Sequence, residues 1–375
     1  MKVLMAEPLI LVINPGSTGT KVAVFAGDVE QAREELPHAD KETRLRPLME
    51  QLDDRLRAVR RWLDEQGWQL SAFAAVVGRG GLLRPVSGGT YRVDALMLED
   101  LRRGVGGQHP ANLGGIMSHE LARQAGCSAF VVDPVSVDEM EPVARISGLP
   151  LIRRRSLFHV LNVKSAYRRA CRELGLVPSE ARMVVVHLGG GISVCAVRGG
   201  RVVDVNNANE QGPFGPNRAG GLPAVSLVQL CYAGRWSREE MLTMLTARGG
   251  LMAYLGTDDA RQVEAMVASG HHRARLVYQA MAYQVAKEIG AMAAALGGGL
   301  NAVVLTGGLA RSDMFVDWVR ERIAFLGQVL VYPGEREMEA LAAGALRVLR
   351  GEARAKSYAA EVRSRELAGR DTGTC

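Results

Sequence analysis

Hydrophobic and polar positions along this chain switch between short apolar runs and helical spacing, and the same succession occurs twice. Near the N-terminus the run Leu9 to Ile13 enters Asn14-Pro15-Gly16-Ser17-Thr18-Gly19-Thr20-Lys21. Val22-Ala23-Val24-Phe25 leaves it, and Ala26-Gly27-Asp28 makes a turn. Past the midpoint Met183 to Val186 enters His187-Leu188-Gly189-Gly190-Gly191. Ile192 to Val197 leaves, and Gly199-Gly200 turns into Arg201 to Val205. Short apolar runs bounded by turn residues predict buried strands. A further phrase recurs in order: Ala75-Val76-Val77-Gly78-Arg79-Gly80-Gly81-Leu82 in the first half, Ala302-Val303-Val304-Leu305-Thr306-Gly307-Gly308-Leu309 in the second. The duplication predicts two similar α/β domains, each offering a backbone-rich loop to a shared phosphate chain.

Between these strands the spacing predicts helices. Leu52, Leu56, Val59 and Leu63 fall on one face of a helix from about Glu50 to Gln66. Phe73 to Val77 reads as a strand, and Asp94 as the N-cap of a helix to Arg103. A glycine-rich loop 104–110 precedes a helix over 112–124, and a strand over 129–132 ends at Asp133-Pro134. Residues 150–155 read as a crossover, with Ser156 capping a helix to about Leu174. The second half continues with strands over 183–205, a Gly/Pro-rich loop 206–223, and helices 224–233, 237–246 and 276–296. A strand 302–305, a helix 311–325, a short strand near Leu330 and a helix over 338–349 complete it. The expected division is an N-terminal domain 1–152, joined by the helix 336–350, and a C-terminal domain 153–335. The charged residues 351–375 read as a tail outside the core.

Composition changes this picture little. A net charge of +6 without a clustered basic motif argues against nucleic-acid binding and fits an anionic small substrate. The five cysteines, Cys127, Cys171, Cys195, Cys231 and Cys375, are widely spaced without a C-x-x-C pair, which argues against a disulfide framework or zinc site. Met1 to Pro8 lacks a signal-peptide core, and the helix near 276–296 carries Lys287 and Glu288, so it is a core helix and not a membrane span. A cytoplasmic location follows as the expectation.

Phosphate oxygens need donors that approach closely, and glycines let backbone N–H groups line a concave turn. Asn14 to Lys21 supplies Gly16 and Gly19 for backbone access, Ser17, Thr18 and Thr20 as hydroxyls, and Lys21 as a cation. It is not a Walker A loop, because a strand follows it; taken alone it reads first as a plain hairpin. Gly189, Gly190 and Gly191 do little for stability and much for close approach. Thr306 to Gly308 sits at a strand end before a helix, where a nucleotide could rest. Arg79, between glycines, reads either as a bidentate carboxylate clamp or as a surface turn residue. His187 either donates to phosphate or buttresses the glycine loop.

These motifs, together with Leu83-Arg84-Pro85, Val132-Asp133-Pro134, Asp138-Glu139-Met140-Glu141-Pro142, Phe158-His159, Ile192-Ser193, Asp204-Val205-Asn206-Asn207, Gly212-Pro213-Phe214 and Tyr332-Pro333-Gly334-Glu335, resemble the butyrate kinases. That group is the butyrate and branched-chain fatty acid branch of the acetate-kinase family. The resemblance runs from about residue 9 to 350. It implies an α/β fold of two duplicated actin-like, ribonuclease-H-like ATPase domains with the active site in the cleft between them. It further implies transfer of the γ-phosphoryl of ATP to a short-chain carboxylate such as butyrate or isobutyrate. Acetate or propionate kinase activity on the same scaffold is the close alternative, and a non-catalytic nucleotide switch the distant one.

By the same resemblance, Arg79 binds the substrate carboxylate, Arg218 stabilises the transferring phosphoryl, His159 contacts the γ-phosphate and Asn14 orients it. Ser17, Thr18, Thr20, Lys21, His187 and Gly189 to Gly191 meet phosphates. Thr306, Gly307, Gly308 and Leu309 border adenosine. Asp133 and Glu337 serve Mg2+, with Glu335 and Glu339 close enough for that assignment to slip. Relatives form oligomers, so a homo-oligomer is expected. Two departures stand out: Gly19 replaces a serine usual in relatives, and Gly215, Asn217 and Ala219 replace polar or acidic residues around Arg218.

Overall fold

The computed structural model describes residues 7–37 and 46–371. Cys375, most of Met1 to Pro8 and the last residues of the expected tail lie outside the described residues. The chain divides into two compact units, Met1–Asp138 with Arg336–Cys375, and Glu139–Glu335. The second unit thus begins at Glu139, ahead of the expected 153.

Unit 1 holds strands β1 (Leu9–Pro15), β2 (Gly19–Ala26), β3 (Val29–Pro37), β4 (Phe73–Arg79), β5 (Thr90–Arg92), β6 (Ser128–Val132) and β12 (Lys356–Ser357). They form one sheet of order β12-β5-β6-β4-β1-β2-β3. β1, β4 and β6 run parallel, while β1-β2 and β2-β3 are antiparallel hairpins. The polar stretch after Asp28 is β3, an exposed edge strand that the apolar pattern alone does not mark.

Helices α1 (Leu52–Glu65), α2 (Ala95–Arg103), α3 (Asn112–Ala125), α11 (Glu337–Leu349) and α12 (Tyr358–Asp371) complete this unit. Helix α2 starts as the sequence predicts, with the Asp94 side chain accepting from the Met97 amide. Glycines let two helices seat directly on the sheet. A Cβ at Gly115 of α3 would meet Val131, and one at Gly344 of α11 would meet Val132 at 2.5 Å. Successive strand residues point to opposite faces, so α3 and α11 cover opposite sides of the parallel strands.

Residues 356–362 do not lie outside the core. β12 pairs with β5, and Tyr358 and Val362 of α12 are buried. Asp100, wholly buried in α2, draws this segment in: it accepts from the Tyr358 hydroxyl at 2.7 Å and from Arg84 Nε at 2.9 Å. The high charge of this stretch obscured those two apolar anchors.

Unit 2 holds β7 (Arg182–Leu188), β8 (Ile192–Arg198), β9 (Arg201–Val205), β10 (Ala302–Gly307) and β11 (Val329–Pro333), ordered β11-β10-β7-β8-β9. The duplication read from the sequence is visible in the sheets. In each unit an antiparallel three-strand meander adds two parallel strands on the side of its first strand. Helices α4 (Val160–Glu173), α5 (Ala224–Cys231), α6 (Arg238–Thr246), α7 (Gly250–Leu255), α8 (Ala260–Ala268), α9 (His272–Ala295) and α10 (Asp313–Ile323) surround it. Val184, Val186 and Val194 share a core with Tyr278, Met281 and Val285 of α9 and Phe315 of α10. The alternate register puts His187 on the opposite face, toward α4. Helix α4 begins at Val160 with His159 at the N-cap position, not at Ser156. His159 is therefore outside the first turn in which the sequence placed it.

Candidate active site

In unit 1 the chemistry collects where the parallel strands end. Ile13 pairs with Gly78 and Arg79 with Val132, so Asn14, Arg79 and Asp133 stand at the carboxyl ends of three adjacent strands. That edge is where open α/β sheets bind ligands. Arg79 Nη1 donates to Glu337 Oε2 at 3.0 Å, and Asn14 Nδ2 donates to the same oxygen at 2.8 Å. Glu337 opens α11, where a carboxylate is favoured by the helix dipole. The three neighbouring glutamates are thereby sorted. Glu337 joins the strand-end cluster, Glu339 Oε1 pairs with Arg33 at 3.1 Å, and Glu335 Oε1 lies 3.4 Å from His187 Nε2 in unit 2.

Around Arg79 the glycines are steric necessities. A Cβ at Gly78 would come within 2.0 Å of the Gly114 carbonyl, and one at Gly81 within 2.0 Å of Asn112 Oδ1. His109, in the loop before α3, keeps an exposed face. Partial burial and then the nearby Arg79 charge hold its pKa below the usual histidine value.

The Asn14–Lys21 loop is a tight β1-β2 connection closed by Gly16 N donating to Gly19 O at 2.8 Å. Ser17 and Thr18 are exposed at its tip. Lys21 pairs with Asn14 across the strands, so the two share a face. Gly19 has its explanation here: a Cβ would meet the Leu36 carbonyl at 2.9 Å, because β3 runs alongside. Thr20 differs from expectation. Its hydroxyl is buried and accepts from Arg55 Nη1 at 3.1 Å, so it supports the loop from behind. Arg55, 3% exposed, also donates to Gly16 O at 3.1 Å and to Gln51 Oε1 at 2.8 Å. Burial lowers its pKa to about 10, and its Nε has no partner. Sequence reasoning missed Arg55, although a cation between Leu52, Leu56 and Val59 on the apolar face of α1 was the available signal.

Asp133 is the one non-glycine residue with positive φ among the described residues, at 42°. Its side chain is 2% exposed, and Oδ1 accepts from the Gly89 amide at 2.7 Å. No group of three His, Cys, Asp or Glu side chains able to hold a metal occurs among the described residues. Oxygen donors from one or two carboxylates, with phosphate and water, nevertheless suit Mg2+, which keeps several waters. Asp133 and Glu337 fit that donor type, and Glu337 would share its Oε2 with Arg79 and Asn14.

In unit 2, His159 and His187 stack with ring centroids 3.7 Å apart and planes 11° from parallel. His159 Nδ1 lies 3.1 Å from Ser193 Oγ, and His187 Nδ1 lies 2.8 Å from Asn162 Nδ2. Asn162 also donates to Thr306 Oγ1 at 3.3 Å, and Thr306 to the Gly334 carbonyl at 3.2 Å. Asn162 was not singled out in the sequence, and Ser193 entered only within the Ile192-Ser193 motif, without a role. Asn162 follows His159 by three positions, close to one helix turn.

The glycine loop itself is overlaid by residues 212–221. A Cβ on Gly191 would sit 2.0 Å from Arg218 Nη1 and 2.7 Å from its Cζ, so the guanidinium packs against Gly191 with Nη1 nearest. Arg218 Nε is buried without a partner, and burial lowers the pKa. The substituted residues around it are tightly packed. A Cβ on Gly215 would meet the Gly190 carbonyl at 2.8 Å, Asn217 O accepts from Gly249 N at 3.0 Å, and Ala219 N donates to Leu245 O at 2.9 Å.

At the end of β10, Gly307 has φ 97°, and its amide and carbonyl both pair with Gly334. Gly308 has open space where a side chain would be. Leu309 differs from expectation, since its side chain belongs to the hydrophobic core of unit 2.

Comparison with known proteins accords with this arrangement. The Acetokinase family profile matches residues 150–340. A protein of Caldanaerobacter subterraneus subsp. tengcongensis named probable butyrate kinase 2 is 51% identical over 351 residues, 93% of this chain and 99% of that one. Among solved structures, Porphyromonas gingivalis acetate kinase matches with a TM-score of 0.75 at 19% identity, covering 91% of this chain and all of that one. A propionate kinase from Francisella tularensis subsp. tularensis matches with a TM-score of 0.70 at 20% identity, covering 90% and 98%. The structural matches speak for the fold, and the sequence matches for the lineage. The chain belongs to the acetokinase family.

Proposed function

We propose that this protein phosphorylates a short-chain fatty acid, butyrate or isobutyrate, at the expense of ATP, giving the acyl phosphate and ADP reversibly. The observation that carries the reading is the half-buried guanidinium of Arg218 lying on the triglycine loop with its Nε unpartnered. A buried, uncompensated cation over close-approach backbone is what a transferring phosphoryl group needs.

The acceptor carboxylate is ionised at neutral pH and needs no general base. The obstacle is repulsion between two anions, so catalysis rests on position and positive charge. Arg79 already grips a carboxylate, that of Glu337, and the same planar fork suits the substrate acid. Asn14 and Lys21, sharing a face, would orient the phosphates together with the exposed Ser17 and Thr18. Gly189 to Gly191 would offer backbone donors to phosphate, with His159 and His187, placed by Ser193 and Asn162, beside them. Asp133 and Glu337 are the residues assigned to Mg2+. The metal, when bound, neutralises phosphate charge.

We further place the protein in the cytoplasm, consistent with its free thiols, and expect a homo-oligomer. Val225, Val228, Leu230 and Tyr232 on and beside α5 are exposed and apolar, as a subunit contact would require. No helix among the described residues is long and apolar enough to cross a membrane.

The test is trapping of acyl phosphate by hydroxylamine with ATP, Mg2+ and, in turn, acetate, propionate, butyrate, isobutyrate and valerate. Hydroxamate formation with highest kcat/KM for the four-carbon acids is expected. Phosphate release without hydroxamate would reject the kinase reading, and a preference for acetate would reject the chain-length assignment.

A further inference from the structure

Asp133 is held in a left-handed backbone conformation by a two-way link to one glycine. Its amide donates to Gly89 O at 2.9 Å, and its Oδ1 accepts from Gly89 N at 2.7 Å. Gly89, at φ 141°, ends the turn Ser87-Gly88-Gly89, so the firmness of that turn bears on the position of the carboxylate. On one side Val86 pairs with the 136–138 segment, through Val86 N to Ser136 O at 3.2 Å and Asp138 N to Val86 O at 2.8 Å. Within it, the Tyr91 hydroxyl donates to Ser87 O at 2.7 Å.

Further anchors come from the far end of the sequence. Lys356 Nζ donates to Gly88 O at 2.8 Å and to Ser87 Oγ at 2.6 Å, and stands 5.7 Å from the Tyr91 ring centroid. A Cβ on Gly89 would meet Lys356 Cε at 3.1 Å, so the lysine stem lies against the turn. Glu361 Oε1 accepts from Ser87 N at 3.0 Å and from Arg365 Nε at 3.2 Å, and Arg365 Nη2 reaches Asp138 O at 2.9 Å. The pairing of β12 with β5, Lys356 opposite Tyr91, sets the register that brings both side chains to the turn.

We propose that Lys356 and Glu361 are positioning residues for phosphoryl transfer: they fix the Ser87–Gly89 turn, and through its last amide the Asp133 carboxylate. The segment after residue 355 is then a working part of the enzyme and not an appendage. Backbone strain at Asp133 persists only where its surroundings over-determine it, and this clamp is one of the constraints that do so. The inference rests on the reading of Asp133 as the metal-side carboxylate.

The experiment compares Lys356→Met, Lys356→Arg, Glu361→Gln and Asp133→Asn in the full chain. Amide hydrogen exchange over residues 86–92 and 128–138 is measured alongside thermal unfolding and the magnesium dependence of turnover. Lys356→Met and Glu361→Gln are expected to hasten exchange in both segments. They should also raise the magnesium concentration for half-maximal rate about 10-fold, the usual cost of removing support behind a metal ligand. KM for the acid stays unchanged, and Lys356→Arg restores most of the loss. Glu361→Gln keeps the side chain's shape, so it stands as the arbiter if Lys356→Met folds poorly. Unaltered exchange or unaltered magnesium demand in a stably folded Glu361→Gln overturns the proposal while leaving the role of Asp133 intact. Full magnesium-dependent turnover by Asp133→Asn overturns the role of Asp133 itself, and the positioning role with it.

Discussion

The contact between Arg218 and Gly191 offers a way to move the proposed catalytic arginine without removing it. In Gly191→Ala the new methyl would stand 2.0 Å from Nη1 and 2.7 Å from Cζ. Non-bonded heavy atoms settle at about 3.5 Å, so the guanidinium must retreat by about 1.5 Å. The atoms met are the far end of a flexible side chain, and Gly191 is not among the positive-φ glycines. The fold should therefore absorb the change, and loss of chain entropy in the unfolded state adds about 0.4–1 kcal/mol of stability. Catalysis should not absorb it. A displacement on this scale costs about 100-fold in rate, which is about 2.7 kcal/mol of transition-state stabilisation. The assay is steady-state hydroxamate formation with butyrate, paired with thermal unfolding, for Gly191→Ala, Arg218→Ala and the double variant. Because both substitutions act through one guanidinium, their effects on kcat should merge in the double variant. A Gly191→Ala enzyme with near-normal kcat, or effects that simply add, would refute the placement of Arg218 over the transferring group.

Four further outcomes are expected. Arg79→Lys keeps a cation but loses the planar fork, so kcat/KM for the acid should fall by at least about 10-fold, and a normal value would remove Arg79 from acid binding. Arg55→Met strips donors from Gly16 O and Thr20 Oγ1, which should raise KM for ATP and lower stability by about 1–3 kcal/mol; urea unfolding and initial rates check both. Tyr358→Ala should cost about 3–5 kcal/mol, and a negligible loss by the same unfolding measurement would return residues 356–371 to the status of a tail. His109 has a folded pKa below its unfolded value, so the unfolded chain binds the proton more readily. Its contribution is complete above about pH 6.5 and fades as pH falls through the lower folded value. A melting-temperature profile of His109→Gln should lack that acid-side slope, and identical profiles would contradict the shift.

Much of the fold was legible because buried parallel strands announce themselves as apolar runs between glycines. The duplicated runs at Leu9 and Met183 and the repeated Gly-Gly phrases after Val77 and Leu305 all became strands and loops. What escaped was structure set by partners distant in sequence. β3 is polar because it lies at an exposed edge, and β12 is two residues long and exists through its pairing with β5. Helix α4 starts three residues later than Ser156 suggested, a boundary that capping preferences alone did not fix. At the candidate site, the glycine-rich strand ends were readable as places of close backbone approach. Which hydroxyl faces a ligand and which faces the core was not: Thr20 turned to Arg55, and Leu309 to packing. Those choices depend on a buried arginine and on strand register, neither visible in a local window.

Unit 1 is assembled from both ends of the chain, with all of unit 2 interposed. Helix α11, which covers one face of its parallel strands, and β12, which closes one edge, both leave the ribosome after Glu335 has been made. The inserted unit is continuous and has every one of its strands in hand by then, so during translation it is placed to mature first. The earlier-born half must wait, with one apolar sheet face uncovered for some two hundred codons. A nascent-chain protease challenge should thus find the middle of this protein resistant before its beginning.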